Sequence, residues 1–242
     1  MALSQNPSLT EQVMDYVRRA VDSGEMVTGA WYSVYQLSEV LGISRSPVRD
    51  GLLRLEEAGL VRFTRNRGFQ IVATTPTDVA EIFSLRLAIE PPTAFRAARH
   101  RTSEHLAEAD RLLGLLDTAA EKEDAAAFFA HDEQLHDLLL KMGNSSRGRE
   151  IVSRLRTHTR LLGVSTAGTS RSLRDIYAEH LPVLDAIRDR DADAARARLH
   201  EHLTVTGQLL VAQSLRQGGV AEPDLAAEVT RVWDSHAAGS LP

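Results

Sequence analysis

The sequence contains no cysteine, and only 5% of its 242 residues are aromatic. The absence of cysteine excludes disulfide bonds and thiolate metal sites, and it is consistent with a reducing cytosol. No apolar stretch approaches the roughly 18 residues that a membrane-spanning helix needs. The start of the chain also lacks the basic-then-apolar order of a secretory signal. The composition therefore predicts a cytoplasmic protein without a membrane segment.

Charge distinguishes the first part of the chain from the rest. The net charge of the whole chain is −5, whereas residues 1–75 hold eight arginines and eight acidic residues. Six of those arginines fall between positions 45 and 67, where only three acidic residues accompany them. A local basic cluster of this kind is a better indicator of nucleic-acid binding than the overall charge.

Three short helices and a hairpin are predicted in residues 1–75. A first helix begins after Ser8 or Thr10, a second spans SVYQLSEVLG, and a third spans SRSPVRDGLLRLEEAG. The short connection GIS joins the second helix to the third, which is the arrangement of a helix-turn-helix. The stretch LVRFTRNRGFQIV contains two β-like segments around the turn RNRG, and this pattern predicts a two-stranded wing.

Four arginines of this predicted winged helix-turn-helix are candidates for contact with DNA. Arg45 and Arg49 lie one helical turn apart near the start of the third helix, where recognition helices meet base edges in the major groove. An arginine can bind the O6 and N7 atoms of guanine in a bidentate manner. Arg65 and Arg67 lie at the wing tip and are expected to reach phosphates or the minor groove. The alternative is a solvated basic face without a ligand.

Only helical periodicity is found in most of the remaining chain. The candidate helices are 77–100, 103–121, 124–142, 147–165, 170–189, 191–216 and 224–236. Pro91 and Pro92 are expected to break or kink the first of them. The predicted fold class is therefore mainly α, with an N-terminal winged helix-turn-helix domain in residues 1–75 and an all-α helical-bundle domain in residues 76–236.

An aspartate and three histidines interrupt the apolar faces of these helices. In the stretch FFAHDEQLHDLLL, Asp132 and His136 fall in the same arc as the leucines when residues are placed about 100° apart around the helix axis. His180 and His202 lie near the centres of the apolar arcs of two later helices. One carboxylate oxygen and three neutral imidazole nitrogens form a suitable ligand set for a divalent transition metal, with positions left open for water or a small ligand.

A hydrogen-bonded polar core is the alternative explanation of these four residues. A lone histidine on an apolar face is more often a hydrogen-bonded core residue, and His158 also lies on the apolar arc of its helix. Asp132 could pair instead with Arg86 or with a protonated imidazole. An ionised carboxylate buried without any partner costs on the order of several kcal/mol, so some cation is expected beside Asp132.

The segment YQLSEVLGISRSPVRDGLLRLEEAGLVRFTRNRGFQIV resembles the winged helix of the GntR family of bacterial transcription regulators. The similarity is carried by GISRSPVR, by the leucine spacing that follows it and by the glycine of the wing. The resemblance implies DNA contacts by Ser44, Arg45, Ser46, Arg49 and Gly68. Tyr35 departs from the family pattern, since many members have an arginine there that contacts DNA. A different operator preference is therefore expected.

The stretches SLRLAIEPPTAFRAA, HDEQLHDLLLKMGN and EHLPVLDAIRDRDADAARARLHEHL resemble the all-helical ligand-binding domain of the FadR subfamily of GntR regulators. The metal ligands of that domain correspond to Asp132, His136, His180 and His202, including the 21 residues between the last two. The resemblance implies a divalent ion, zinc with nickel or manganese as alternatives, and a small carboxylate effector that completes the metal shell. It also implies that Arg86 binds this effector, the alternative being a salt bridge to Glu90.

The leading interpretation is a transcription regulator that acts as a repressor. A homodimer is expected to bind a palindromic operator in double-stranded DNA, because two recognition helices must fit two related half-sites, and the carboxylate is expected to control this binding. The competing interpretation is a hydrolase-like, metal-dependent enzyme fused to a DNA-binding module, since a metal with open positions can activate water. The sequence contains no HExxH motif and no obvious general base, so we predict no catalytic residue. Two further alternatives are a regulator whose effector is the metal itself and a metal-free acyl-CoA sensor.

Overall fold

The computed structural model describes residues 8–57, 59–65, 67–72, 75–161 and 171–237, without the side chains at positions 22, 157, 158, 160 and 161. Helices and one small sheet account for the regular structure in these ranges. The chain divides into two compact units. The first contains residues 1–74 and is also assigned the end of one helix, from residue 157 onward, and the second contains residues 75–156 and the rest of the chain. No helix within the described ranges has the length and apolar character needed to cross a membrane.

The N-terminal unit contains three helices and three short strands. In chain order these are α1 (Leu9–Asp22), β1 (Trp31–Tyr32), α2 (Val34–Leu41), α3 (Arg45–Glu57), β2 (Val61–Thr64) and β3 (Gly68–Ile71). Ser8 and Glu11 form a capping box at the start of α1. Ser33 caps α2, which ends at Gly42 with a φ of 65°, a left-handed conformation that glycine adopts without strain. The predicted helix-turn-helix and wing are both found in this unit.

The sheet of the N-terminal unit is antiparallel, with the strand order β1-β3-β2. β2 and β3 form the predicted hairpin, in which Phe63 lies opposite Phe69. The strand β1 was not predicted, because two residues are too few to produce an alternating pattern. The core is formed by apolar residues of α1, α3 and the sheet, and Ser38 is the only polar side chain among the buried residues that the structure describes here.

The C-terminal unit is helical throughout its described part. Its helices are α4 (Pro76–His100), α5 (Ser103–Glu121), α6 (Ala125–Met142), α7 (Ser146–Leu161), α8 (Leu173–Arg188), α9 (Ala192–Gln217) and α10 (Glu222–His236). These bounds agree closely with the predicted ones, except that the expected helix end at 165 and the expected start at 170 lie outside the described residues. The fold class, a winged helix-turn-helix followed by an all-α bundle, is confirmed.

The helix α4 continues through Pro91 and Pro92, so the predicted break is absent. Each proline lacks an amide hydrogen, and each therefore removes one hydrogen bond from the helix. Residues on both sides of the prolines are nevertheless buried, Phe83 and Leu87 before them and Ala94 after them. Because α4 packs against α6, α8 and α9, this tertiary packing outweighs the two lost bonds.

Candidate functional site

Three helices of the C-terminal unit direct polar side chains into a common interior. Asp132 and His136 come from α6, His180 from α8 and His202 from α9. All four are buried, with exposed fractions of 6%, 1%, 1% and 7% in that order. The structure thus brings together the four residues that helical periodicity singled out.

The three histidines lie close enough to share one ion, and an oxygen of Asp132 lies beside two of them. The Nε2 atoms of His136 and His180 are 3.4 Å apart, and one ligand nitrogen from each of the three histidines lies within 4.8 Å of the others. Oδ1 of Asp132 lies 3.0 Å from Nε2 of His180 and 3.9 Å from Nε2 of His136. Donors that surround a zinc ion at about 2.0–2.2 Å have separations of this order.

Each imidazole also donates a hydrogen bond from Nδ1 to an acceptor outside the cluster. The three pairs are His136 with Oε2 of Glu90 (2.6 Å), His202 with Oε2 of Glu179 (2.8 Å) and His180 with the carbonyl oxygen of Ile176 (2.8 Å). Ionised carboxylates and carbonyl groups only accept hydrogen bonds, so each Nδ1 carries a proton. Partners of this kind fix the tautomer and the ring orientation of metal-ligating histidines.

The protonation pattern calls for a cation among the inner atoms. With the Nδ1 protons committed, the Nε2 lone pairs of His136 and His180 would oppose each other, and Asp132 adds a negatively charged oxygen. A proton on Nε2 of His180 can join that nitrogen to Asp132 alone. A divalent metal ion can accept lone pairs from several of these nitrogen and oxygen atoms at once. The residues present therefore fit such an ion.

Burial keeps the imidazoles of His136 and His202 neutral. Loss of hydration, reinforced by the charge of Arg156, lowers the pKa of His136 to about 4. Loss of hydration, reinforced by His180, lowers the pKa of His202 to about 3. Burial by itself would raise the pKa of Asp132, but Arg156 and His180 hold it well below its usual value. At neutral pH these groups are therefore in the protonation states that bind metal ions.

Two arginines, Arg86 buried and Arg156 partly buried, compensate the buried carboxylates. Arg156 of α7 donates a hydrogen bond to Oδ2 of Asp132, while Oδ1 of the same carboxylate faces His180. Nε of Arg86 lies 2.6 Å from Oε1 of Glu90. Pairing with Arg86 was one alternative for Asp132, but the arginine that pairs with it in the structure is Arg156. Arg86 forms the salt bridge to Glu90, which was the alternative to a contact with the effector. The contact between Arg86 and the effector stays a prediction.

A cavity of about 580 Å³ is bounded by α5, α6 and α7. Its lining is mainly polar and includes Asp137, Lys141 and Arg149. Arg156 lines this cavity and also binds Asp132. Arg156 thus adjoins both the cavity and Asp132, whereas none of the three histidines lines the cavity.

Two carboxylates of this site were not recognised from the sequence as partners of the histidines. Glu90 lies on the buried side of α4, so the helical placement that singled out Asp132 would also have found it. Glu179 has no such signal, because it is only partly buried and lies outside the apolar arc of α8. The side chain of His158, which weakened the inference from periodicity, lies outside the described residues.

A second candidate surface is formed by the start of α3 and the hairpin turn that follows. Ser44, Arg45, Ser46 and Arg49 are exposed, whereas Val48, Leu52 and Leu55 of the same helix are buried in the core. Arg65 and Arg67 are exposed on the turn between β2 and β3. The arginines predicted to contact DNA therefore all lie in solvent.

Gly68 shapes the turn beside these arginines. Its φ is 97°, and a Cβ atom at this position would lie 2.1 Å from the carbonyl oxygen of Tyr32. Only glycine fits such a close approach of two backbone segments. The glycine that the sequence singled out in the wing therefore has a steric reason for its identity.

Two of the exposed arginines lie over aromatic rings. The guanidinium carbon of Arg45 is 4.8 Å from the centroid of the Tyr35 ring, and that of Arg67 is 4.4 Å from the centroid of the Trp31 ring. Both distances are within the range of cation–π interactions. Neither pair was anticipated from the sequence.

Comparison with known proteins assigns both parts of the chain. Residues 9–71 match the family model described as "Bacterial regulatory proteins, gntR family", and residues 81–205 match the model of the FCD domain. The HTH-type transcriptional repressor RspR of Escherichia coli (strain K12) is 23% identical over 215 residues, which cover 89% of this chain and 92% of the relative. The gluconate operon transcriptional repressor of Bacillus licheniformis is 25% identical over 218 residues, with 86% and 89% covered.

The fold is likewise similar to that of solved structures. The structure of E. coli McbR/YncC matches with a TM-score of 0.67 and 25% sequence identity. The match covers 86% of this chain and 99% of that one. The similarity therefore extends over both units rather than over one of them.

Proposed function

Because this chain belongs to the GntR family of bacterial regulatory proteins and carries an FCD domain, we propose that it is a repressor controlled by a small carboxylate at its buried metal site. The family consists of DNA-binding transcription regulators, so the chain is such a regulator. The competing interpretation as a metal-dependent enzyme is not supported, since the relatives are regulators and not enzymes. Repression as the direction of control rests on the names of the two relatives.

The proposed metal ion is divalent, with zinc expected and nickel or manganese as alternatives. FCD domains commonly bind metal ions. The residues that would hold the ion are Asp132, His136, His180 and His202. An oxygen ligand with three imidazoles suits zinc and is also accepted by the other two metals. When bound, the ion supplies positions that accept ligand oxygens.

The charge balance around the site is the observation that supports a carboxylate effector. Arg86, Arg156 and Arg171 are matched by Glu90, Asp132 and Glu179, with which they form ion pairs. The sum of these charges is zero, and burial keeps the imidazoles of His136 and His202 neutral. A divalent ion therefore leaves an excess of positive charge in the interior, and an anionic ligand offsets it.

The proposed cationic contacts of the effector are Arg86 and Arg156. Arg86 uses its Nε for Glu90, which leaves the outer nitrogens of the guanidinium for a carboxylate. Arg156 is a second candidate because it lines the cavity beside the site. A carboxylate between the metal ion and these arginines would have opposite charges on both sides.

The proposed DNA complex is a homodimer on a palindromic operator. Ser44, Arg45, Ser46 and Arg49 of one recognition helix are assigned to the major groove, and Arg65, Arg67 and Gly68 of the wing to the backbone or the minor groove. Two related half-sites require two copies of the chain. In this proposal residues 1–75 bind DNA, residues 76–236 bind metal and effector and dimerise, and the protein acts in the cytoplasm.

Native mass spectrometry with elemental analysis of the purified full-length protein tests the metal and the oligomeric state together. We expect a dimer that carries one divalent ion per subunit and a co-purified small acid. Asp132→Asn keeps the side-chain shape but removes the charge, and it should weaken the binding of zinc measured by competition with a chelator. Zinc affinity equal to that of the wild type would show that the carboxylate is not a ligand.

The control of DNA binding needs a separate measurement. Fluorescence anisotropy with a selected operator, with and without a panel of small carboxylates, should reveal one class of acid that changes the affinity. The same acid should have no effect after the metal is removed with a chelator. An unchanged response of the metal-free protein would contradict an effector site at the metal. Turnover of carboxylates or esters would revive the enzyme interpretation.

A further inference from the structure

Tyr35 lies in the first turn of α2 with its ring largely open to solvent. The side chain of Ser33 caps the helix and accepts a hydrogen bond from the amide of Tyr35 at 3.2 Å, which fixes the backbone from which the ring projects. The residue is 49% exposed, so burial of apolar surface does not explain an aromatic ring here. Arg45, the first residue of α3, covers the ring with its guanidinium.

Trp31 has the corresponding relation to the wing. Adjacent residues of a strand point to opposite faces of the sheet. Tyr32 faces the core, where its ring centroid lies 5.8 Å from that of Phe69, so Trp31 faces away from the core. Arg67, on the turn between β2 and β3, lies over this outward ring.

We propose that Tyr35 and Trp31 are positioning residues, which hold Arg45 and Arg67 in the conformations that meet DNA, and that Tyr35 thereby contributes to operator specificity. The proposal rests on the proposed DNA contacts of the two arginines. A free arginine side chain samples many rotamers and loses this freedom on binding. An arginine that already stacks on a fixed aromatic ring has fewer rotamers in the free protein. It therefore loses less conformational entropy when it binds DNA.

The stacked arrangement leaves the donors of both arginines available. A guanidinium that stacks through its flat face keeps its N–H groups around the edge. Neither Arg45 nor Arg67 forms an ion pair within the part of the chain that the structure describes. The edge of Arg45 is therefore free for bases, and that of Arg67 for phosphates or the minor groove.

The stack gives Tyr35 a role at the position where many family members have an arginine. A second arginine at this position would add a positive charge next to Arg45. A tyrosine instead offers the negative face of its ring, which attracts the cation already there. In this proposal the residue at position 35 does not contact DNA itself but instead positions Arg45, which does.

A double-mutant cycle on the full-length protein tests the Tyr35 stack. The probe is an operator selected in vitro with the wild-type protein, and random DNA serves as the reference. Tyr35→Ala should weaken specific binding about two- to fivefold, the effect of one exposed cation–π interaction, and should have no further effect in the Arg45→Ala background. Tyr35→Phe keeps the ring and should bind like the wild type.

The outcomes separate the stack from the underlying DNA contact. If Arg45→Ala leaves specific binding unchanged, Arg45 does not contact DNA, and the proposed positioning role of Tyr35 is then wrong as well. If Arg45→Ala weakens binding but Tyr35→Ala weakens it equally in both backgrounds, only the positioning role is wrong. Tighter binding by Tyr35→Ala would also overturn it, since the stack would then compete with DNA.

Specificity and the wing are tested with two further variants. Tyr35→Arg should change the selected motif at one or two operator positions, and an unchanged motif would overturn the specificity part. Trp31→Leu should weaken DNA binding in the wild-type background but not in the Arg67→Ala background, whereas Trp31→Phe should bind like the wild type. Equal losses for the leucine and phenylalanine variants would refute the role of the ring.

Discussion

The two units of this chain differ in where their charged side chains lie, exposed in the N-terminal unit and buried around the site of the C-terminal unit. In the N-terminal unit the described buried residues are apolar apart from Ser38, and the arginines of α3 and the hairpin turn lie in solvent. In the C-terminal unit Arg86, Glu90 and Asp132 are buried together with three histidines. Exposed cations act on a polyanion at a distance and are screened by salt. Buried charges act over hydrogen-bond distances and depend on geometry and on complete pairing.

Arg45 and Arg86 illustrate the difference within one residue type. Arg45 is exposed and stacks on a ring, so its charge remains hydrated and available to a partner. Burial of Arg86 lowers its pKa, and the adjacent Glu90 opposes this shift and keeps the guanidinium charged. The same side chain thus serves recognition of a large anion in one unit and the organisation of an interior site in the other.

Breaking a buried pair should have the largest effect. Glu90→Gln leaves Arg86 buried without its counter-ion and weakens the acceptor of His136. We expect a loss of about 3–5 kcal/mol in the free energy of unfolding, measured by denaturant titration, and a fall of about 10- to 100-fold in metal affinity. Glu81→Gln, an exposed change on the same helix, is the control and should stay within about 0.5 kcal/mol of the wild type. If Glu90→Gln is as stable as the wild type, the buried ion pair between Glu90 and Arg86 does not stabilise this unit.

Removing the metal should have the next largest effect. A ligand that binds only the folded state stabilises it by about 4 kcal/mol at a thousandfold excess over the dissociation constant, which corresponds to roughly 10 °C in melting temperature. Chelation should therefore lower the melting temperature and zinc should restore it, whereas DNA binding should persist. His180→Ala and His202→Ala should abolish the zinc-induced shift, and His131→Ala should retain it. If chelation does not change the melting temperature, the four residues form only a hydrogen-bonded polar core and do not bind a metal ion.

Loss of a base contact in the N-terminal unit should have a smaller effect. Arg45→Ala or Arg49→Ala should cost about 1–3 kcal/mol in specific DNA binding, if each arginine makes a bidentate contact with a base. The melting temperature should not change, because both side chains are exposed. Anisotropy titrations with operator and random DNA provide the measurement. Equal losses on the two DNAs would contradict base reading.

The smallest effect is expected at the wing. Arg65→Ala and Arg67→Ala should each remove about one phosphate contact, which weakens binding to all sequences alike. The slope of log affinity against log salt concentration should become shallower by about 1 for each variant. A loss confined to the operator would instead indicate that the wing reads bases.

Hydrophobic spacing was sufficient to assign the helices and four of the polar residues that face the interior. It placed Asp132 and His136 on one side of one helix and His180 and His202 at the centres of two other apolar faces. This works because the direction of a side chain depends only on its position along a regular helix. The exposed arginines of α3 were found by the same reasoning, since the buried stripe of that helix is formed by Val48 and the leucines that follow.

Pairing between side chains of different elements could not be obtained in this way. The sequence left two candidate partners for Arg86, the effector and Glu90, and in the structure Arg86 pairs with Glu90. Asp132 binds Arg156, and His202 binds Glu179. The Arg45–Tyr35 stack likewise joins two helices. Periodicity states which way a side chain points, whereas the rotation and separation of packed helices determine which side chains meet. These depend on the volumes of all the residues between them, which no local pattern contains.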